Sequence, residues 1–172
     1  MDIQIIHPTL ADISEINALI LGHGNGGLLP VNDAEFQRRV ESGDSLILKI
    51  DGVIVSYIAL TPVNNHAVEV RSLVTERELR RHGYGTVLIT EILKLAQINY
   101  PDRIVVAMVS GKSEGIFRNH NFIDPTPKEL GLLDELLVLC WTTCPNFSKL
   151  PLGKICCHTF LVWHNGKEER KE

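Results

Sequence analysis

Two groups of residues have types and spacing suited to chemistry. Glu69 stands between Val68 and Val70, eleven residues ahead of Arg80-Arg81-His82-Gly83-Tyr84-Gly85. Apolar neighbours disfavour an ionised carboxylate, so Glu69 has the setting of a group that takes a proton directly or through water. The bland alternative is an ion pair with Arg71, because residues two apart in a strand share a face. The glycine segment suits an anion. Glycines let the backbone approach a phosphate with no Cβ in the way, and Arg80 and Arg81 offer charge-assisted donors beside it. Gly83 and Gly85 could instead do no more than turn and cap the chain. The spacing is neither the six-residue dinucleotide fingerprint nor a P-loop, since no third glycine and no Gly-Lys-Ser/Thr follow.

The elements around these groups decide how they are held. Val68, Val70, Leu73 and Val74 predict a largely buried strand, and Glu76, Arg77 and Glu78 a polar turn after it. Beyond Gly85, the residues Leu88, Ile89, Ile92, Leu95 and Ala96 recur at helical spacing. A strand that enters a glycine turn and opens a helix presents the helix's first unpaired amides, and the positive end of its dipole, to a pyrophosphate.

On these residues the chain resembles the GNAT N-acetyltransferase superfamily. Arg80-x-x-Gly83-x-Gly85 is similar to its pyrophosphate loop, Gln/Arg-x-x-Gly-x-Gly/Ala, and the strand stands at the matching distance. The resemblance implies acetyl-CoA as cosubstrate. Its diphosphate would sit on amides from Arg81, His82, Gly83, Tyr84, Gly85 and Thr86. Its pantetheine arm would lie along the main chain of Leu73, Val74 and Thr75, with the Leu73 N–H as the oxyanion donor. Glu69 occupies the position of a catalytic glutamate in several of these enzymes. Many relatives end the next helix with Phe-Tyr-x-x-x-Gly-Phe, whose tyrosine protonates the leaving thiolate. Here Ile116-Phe117 leads to Asn121-Phe122, so Phe117 can pack on the cofactor but cannot donate a proton. Ser113, His120 or water are the substitutes, unless coenzyme A leaves as the thiolate.

With 172 residues, 44% of them hydrophobic, the chain can build one full core, and a single domain over residues 1–165 with a charged tail at 166–172 is expected. No apolar run reaches the ~20 residues of a membrane span, and no secretory leader is evident, which predicts a cytoplasmic protein with no membrane partner. A net charge of -4 without a basic stripe argues against nucleic acid.

In order, Ile3, Ile5 and Ile6 predict a strand stopped by Pro8, and Thr9 with Asp12 a loose capping box. Ile13, Ile16, Leu19 and Ile20 form a helix face that the glycines from Gly22 to Gly27 terminate. Asp33 is expected to cap a short helix through Val40. Leu46–Ile50, the turn Asp51-Gly52 and Val53–Leu60 predict a hairpin, and Asn64-Asn65 a second turn into the Glu69 strand. A strand at 103–109, a short helix from Gly111 to His120 with Asn121 as a left-handed cap, and a strand at 155–163 complete the chain, with 126–139 ambiguous. The order β-α-α-β-β-β-α-β-α-β agrees with an α/β (α+β) GNAT acyl-CoA N-acyltransferase fold, a mixed central sheet with helices on both faces. Final strands such as 155–163 can pair between subunits, which leaves a homodimer open.

Several segments resemble the short N-acetylglutamate synthase-like amino-acid acetyltransferases. Gly27-Leu28-Leu29-Pro30 is similar to their Gly-x-Leu-Leu-Pro-Arg, Glu69–Val74 to their Glu-Ile-Arg-Ser-Leu-Ala strand, and Cys140-x-x-x-Cys144-Pro145 to their C-terminal Cys-Pro segment. Val31 stands where that pattern has an arginine for a substrate carboxylate; Arg71, which shares a strand face with Glu69, is a candidate to supply that charge instead, and Leu29 is a separate candidate substrate contact. Cys140, Cys144, Cys156 and Cys157 are poorly spaced for zinc, so reduced thiols and no metal are expected, and His23, His66, His82 and His120 are isolated. The leading expectation is an N-acetyltransferase acting on a small amine, with an amino acid such as glutamate among the candidates. A non-catalytic acyl-CoA-binding regulatory domain and a protein N-acetyltransferase are the alternatives.

Overall fold

The computed structural model describes residues 1–22, 30–111, 113–131 and 159–164. Its strands are β1 (Ile3–Ile6), β2 (Ser45–Ile50), β3 (Val53–Pro62), β4 (Ala67–Thr75), β5 (Ile104–Val109) and β6 (Thr159–Trp163). They form one mixed six-stranded sheet in the order β1-β2-β3-β4-β5-β6. The helices are α1 (Ile13–Gly22), α2 (Asp33–Glu41), α3 (Tyr84–Asn99), α4 (Glu114–Arg118) and α5 (Pro127–Gly131). This is the expected GNAT-type α/β architecture. Among the described residues no helix is long and apolar enough to cross a membrane.

The chain divides into two compact units. One comprises Met1–Thr61 and Val70–Asn99; the other comprises Pro62–Glu69 and the described residues from Tyr100 onward. In the first, β1 and β2 pair antiparallel with Ile3 opposite Ile50 and Ile6 opposite Ile47. β2 and β3 form the expected hairpin, with a register shift between Leu48 and Lys49. Asp51 and Gly52 both have positive φ (47° and 85°), the primed turn that Asp-Gly favours. Ile16, Leu19, Ile20, Val31, Phe36, Ile47, Tyr57 and Val74 close one core, so the helical period of α1 and the alternation of the strands converge on the same interior. On α3 the buried face is Leu88, Ile89, Ile92, Leu93 and Ala96. Each large side chain so buried contributes about 1.5–3 kcal/mol.

The second unit has its own cluster, Ala67, Val106, Phe160 and Val162, with Val63, Ile104, Met108 and Ile123 packed against it. There β5 and β6 pair antiparallel from Val105 opposite Trp163 to Val109 opposite Thr159. The Asn64 side chain accepts from the N–H groups of His66 (2.9 Å) and Ala67 (3.0 Å), building the turn into β4.

Some boundaries differ from expectation. Asn32, not Asp33, caps α2: its side-chain Oδ1 accepts from the Glu35 N–H at 2.9 Å, and Asp33 becomes the first helical residue. α3 begins at Tyr84, so Gly85 lies inside its first turn rather than in the loop. α4 is shorter than predicted, and Asn121 is left-handed (φ 64°) two residues beyond the cap Asn119. The four cysteines, Gly27-Leu28-Leu29 and the 166–172 tail lie outside the described residues.

The candidate acetyl-CoA site

β4 is buried from Ala67 to Val70, and Glu69 is only 3% exposed. A carboxyl so enclosed is largely withdrawn from water. Further along, Arg71, Ser72, Leu73 and Thr75 are half-buried and Val74 is fully buried. The strand is not regular there. Ser72 has φ +58°, a left-handed conformation that a non-glycine residue rarely adopts within a strand.

The end of β4 is tied to its surroundings by polar contacts. The Ser56 hydroxyl donates to the Val74 carbonyl at 2.6 Å and lies 2.8 Å from the Thr75 hydroxyl. The Glu76 N–H donates to the Val55 carbonyl at 2.8 Å. Arg80 reaches back and donates its Nε–H to the Thr75 carbonyl at 3.2 Å, which clasps the loop to the strand. The sequence marked Arg80 as an anion donor; the structure adds this bracing contact.

The loop itself is open. Arg81, His82, Gly83 and Thr86 are exposed, with Tyr84 and Gly85 half-buried. Arg81 (φ 66°) and Gly83 (φ 86°) are both left-handed, and successive reversals of this kind turn N–H groups toward one side of the chain. The His82 Nδ1 is 3.0 Å from the Arg80 carbonyl, and its ring stacks on Tyr84 at 6.1 Å. The Val87 N–H donates to the Gly83 carbonyl at 3.0 Å, which is the first closed turn of α3. Tyr84, Gly85 and Thr86 therefore form the first turn of a sixteen-residue helix, and a Cβ added at the preceding Gly83 would meet nothing within 4 Å. A diphosphate fits this arrangement.

Phe117 is 4% exposed and meets Phe122 edge-on, centroids 5.1 Å apart. The His120 Nδ1 lies 2.7 Å from the Ile116 carbonyl, and the Ser113 hydroxyl donates to the Ser110 carbonyl at 3.1 Å. Val31 is a core residue, its backbone gripped by the Asn17 side chain at 2.9 and 3.0 Å.

Sequence reasoning missed Arg39. It is 3% exposed, with its Nε–H on Glu35 at 2.8 Å and its Nη groups on the hydroxyls of Tyr57 (3.0 Å), Thr61 (3.1 Å) and Ser72 (3.4 Å). Glu35 also holds Arg38, which reaches the buried Asp44 at 2.8 Å. The Glu-x-x-Arg-Arg spacing was visible in the sequence; the burial was not.

Burial alone would push the Glu35 carboxyl up, but hydrogen bonds and charge from Arg38 and Arg39 outweigh it and bring it down to about 2 from its ordinary 4.5. A depressed carboxyl adds stability that is complete above its unfolded value and disappears as pH falls through its folded value. Urea unfolding should therefore lose on the order of 2 kcal/mol between about pH 4.5 and pH 2 through Glu35, after allowance for its partial exposure. Glu35→Gln should remove that part of the slope, and an unchanged slope would refute the assignment.

The comparisons with known proteins bear on the fold and the family. No curated protein sequence matches the chain. Among solved structures, Rv2747 from Mycobacterium tuberculosis, in complex with CoA, superposes with a TM-score of 0.69 at 18% identity, covering 92% of this chain and 97% of that one. N-acetylglutamate synthase from Neisseria gonorrhoeae, complexed with coenzyme A and N-acetyl-glutamate, gives 0.70 at 20% identity over 94% of this chain, which spans only 35% of that protein. Ribosomal-protein-alanine N-acetyltransferase from Brucella melitensis gives 0.61 at 20% identity, covering 72% and 86%. At these identities the likeness speaks for the fold. The sequence profile described as Acetyltransferase (GNAT) family matches residues 21–110, more than half of the chain and the whole of β4, the glycine loop and α3, so this chain belongs to the GNAT acetyltransferase family.

Proposed function

We propose that the chain transfers the acetyl group of acetyl-CoA to the amine of a small molecule. The observation that carries the reading is the open loop in which left-handed Arg81 and Gly83 lead into α3 at the end of a strand bearing a buried glutamate. The amides of Arg81 to Thr86 hold the diphosphate, and the main chain of Leu73 to Thr75 lies along the pantetheine. Acetyl-CoA supplies an activated acyl group. Glu69 takes a proton from the ammonium, directly or through water, and the freed nitrogen forms a bond to the thioester carbon. The Leu73 N–H donates to the oxygen on which negative charge grows. Collapse of the tetrahedral intermediate breaks the carbon–sulfur bond and releases coenzyme A as the thiolate; the second proton of the attacking nitrogen leaves through solvent, and the thiolate takes up a proton the same way, because Phe117 has none to give.

Amino-acid acetylation is the narrower form of this reading. The shared fold of the Neisseria enzyme supports it. Burial of Val31 in the core weighs against a glutamate acceptor, because the position at which the resemblance expects a carboxylate-binding arginine holds an apolar side chain facing the interior. A non-catalytic acyl-CoA-binding domain is favoured by the same substitution together with Phe117. Thiol release measured over a panel of amines, amino acids and N-terminal peptides separates these readings. Turnover on at least one small amine is expected. Tight acetyl-CoA binding with no turnover on any acceptor would leave the binding domain.

A further inference from the structure

Ser72 carries a cost. An L-residue in the left-handed region is disfavoured, and such a conformation persists only where its surroundings over-determine it. The contacts that do so lie at the kink and just beyond it. After it, Val74 is fastened by the Ser56 hydroxyl, and Glu76 by the Val55 carbonyl. On Ser72 itself, the contact comes from the Arg39 guanidinium, whose Nη1 donates to Ser72 Oγ at 3.4 Å and to Tyr57 Oη at 3.0 Å. Arg39 is fixed in turn by Glu35 at 2.8 Å and Thr61 at 3.1 Å, and Thr61 donates to Glu35 at 3.1 Å.

Four of the five N–H groups of this guanidinium are thus committed inside the protein. Such an arginine is not a clamp for a substrate carboxylate. Its planar fork is instead suited to holding several oxygens in one fixed arrangement, which an ammonium would not reproduce. The residue after Ser72 is Leu73, the N–H of which the proposed reaction aims at the thioester oxygen.

We propose that Arg39 is a positioning residue: through Tyr57 and Ser72 it holds the left-handed kink of β4 that points the Leu73 N–H at the acetyl carbonyl. This rests on the acetyl-CoA reading and adds to it a residue that touches neither substrate. The inference concerns only the acyl end of the cosubstrate, since the diphosphate is held by the separate loop at Arg81 to Thr86.

The test compares the affinities of acetyl-CoA and CoA by titration calorimetry. One net hydrogen bond to the carbonyl makes wild-type protein prefer acetyl-CoA by about fivefold. Arg39→Lys and Ser72→Ala should each bring that ratio to about one, while affinity for CoA itself stays within about twofold, a split that general loosening of the fold does not produce. Should Arg39→Lys fail to fold, Ser72→Ala and Tyr57→Phe, which leave the Arg39–Glu35 pair in place, carry the same measurement. Equal wild-type affinities, or a preference preserved in Ser72→Ala and Tyr57→Phe, overturns the proposal. Absence of CoA binding to wild-type protein would instead overturn the acetyl-CoA reading beneath it.

Discussion

Glu69→Gln is expected to lower kcat by about 10²–10⁴-fold while leaving the dissociation constant for acetyl-CoA within about twofold. The substitution keeps the size and shape of the side chain but removes its negative charge and its ability to take a proton, and replaces one accepting oxygen by a donating NH2. Glu69 lies between Val68 and Val70 on a stretch of β4 that is buried throughout, so bulk water is poorly placed to act as a base in its stead. The cofactor contacts proposed for Leu73 to Thr86 do not involve its carboxylate. Binding and turnover should therefore separate, with kcat and kcat/KM falling together, as when an interaction is made only in the transition state. The competing role is the Arg71 ion pair that the strand spacing allows. In that role the carboxylate neutralises a charge, and the glutamine variant would lose stability but keep its rate per folded molecule. Steady-state kinetics paired with thermal melts distinguish the two, and an unchanged kcat in folded protein would remove Glu69 from the chemistry.

Much of this was legible in the sequence because the signals were local. Asp51-Gly52 between two apolar runs specifies a hairpin through its own backbone preferences, and the hairpin is there. Ile16, Leu19 and Ile20 recur at the helical period, and they are the buried face of α1. The strand, glycine loop and helix followed from the residues between Glu69 and Ala96 for the same reason.

What escaped was decided by tertiary contacts. Asn32 and Asp33 are both good caps, and the choice between them depends on where the chain enters α2. Nothing in Glu69-Val70-Arg71-Ser72-Leu73 marks a left-handed residue, since serine usually leaves that region to glycine and asparagine. Nothing in the sequence separates Arg39 from its neighbour Arg38; its burial depends on oxygens from Tyr57, Thr61 and Ser72, 18 to 33 residues away. The general lesson is that the part of the site set by backbone spacing could be read, whereas the part set by a buried polar network could not.

Gly83→Val tests the diphosphate seat most severely. Gly83 has φ +86°, where a side chain is strained and a β-branched one most of all. The backbone term alone should cost about 1–2 kcal/mol of stability. Space is not the obstacle in the free protein, because a Cβ there meets nothing within 4 Å. In the proposed complex that space belongs to the diphosphate, and the valine would compete for it directly. Relaxation of φ toward negative values would also turn the Tyr84 N–H away from the anion. Losing one charge-assisted hydrogen bond of about 1.5–3 kcal/mol should weaken acetyl-CoA binding by about 10–100-fold. Gly83→Ala, with less bulk in the same strained conformation, should fall between wild type and valine. Melting temperatures report the strain and calorimetric titration reports the seat, so the two effects can be read separately. A valine variant that melts earlier but binds acetyl-CoA as tightly as wild type would mean that Gly83 is only a turn, and the diphosphate would have to be held elsewhere.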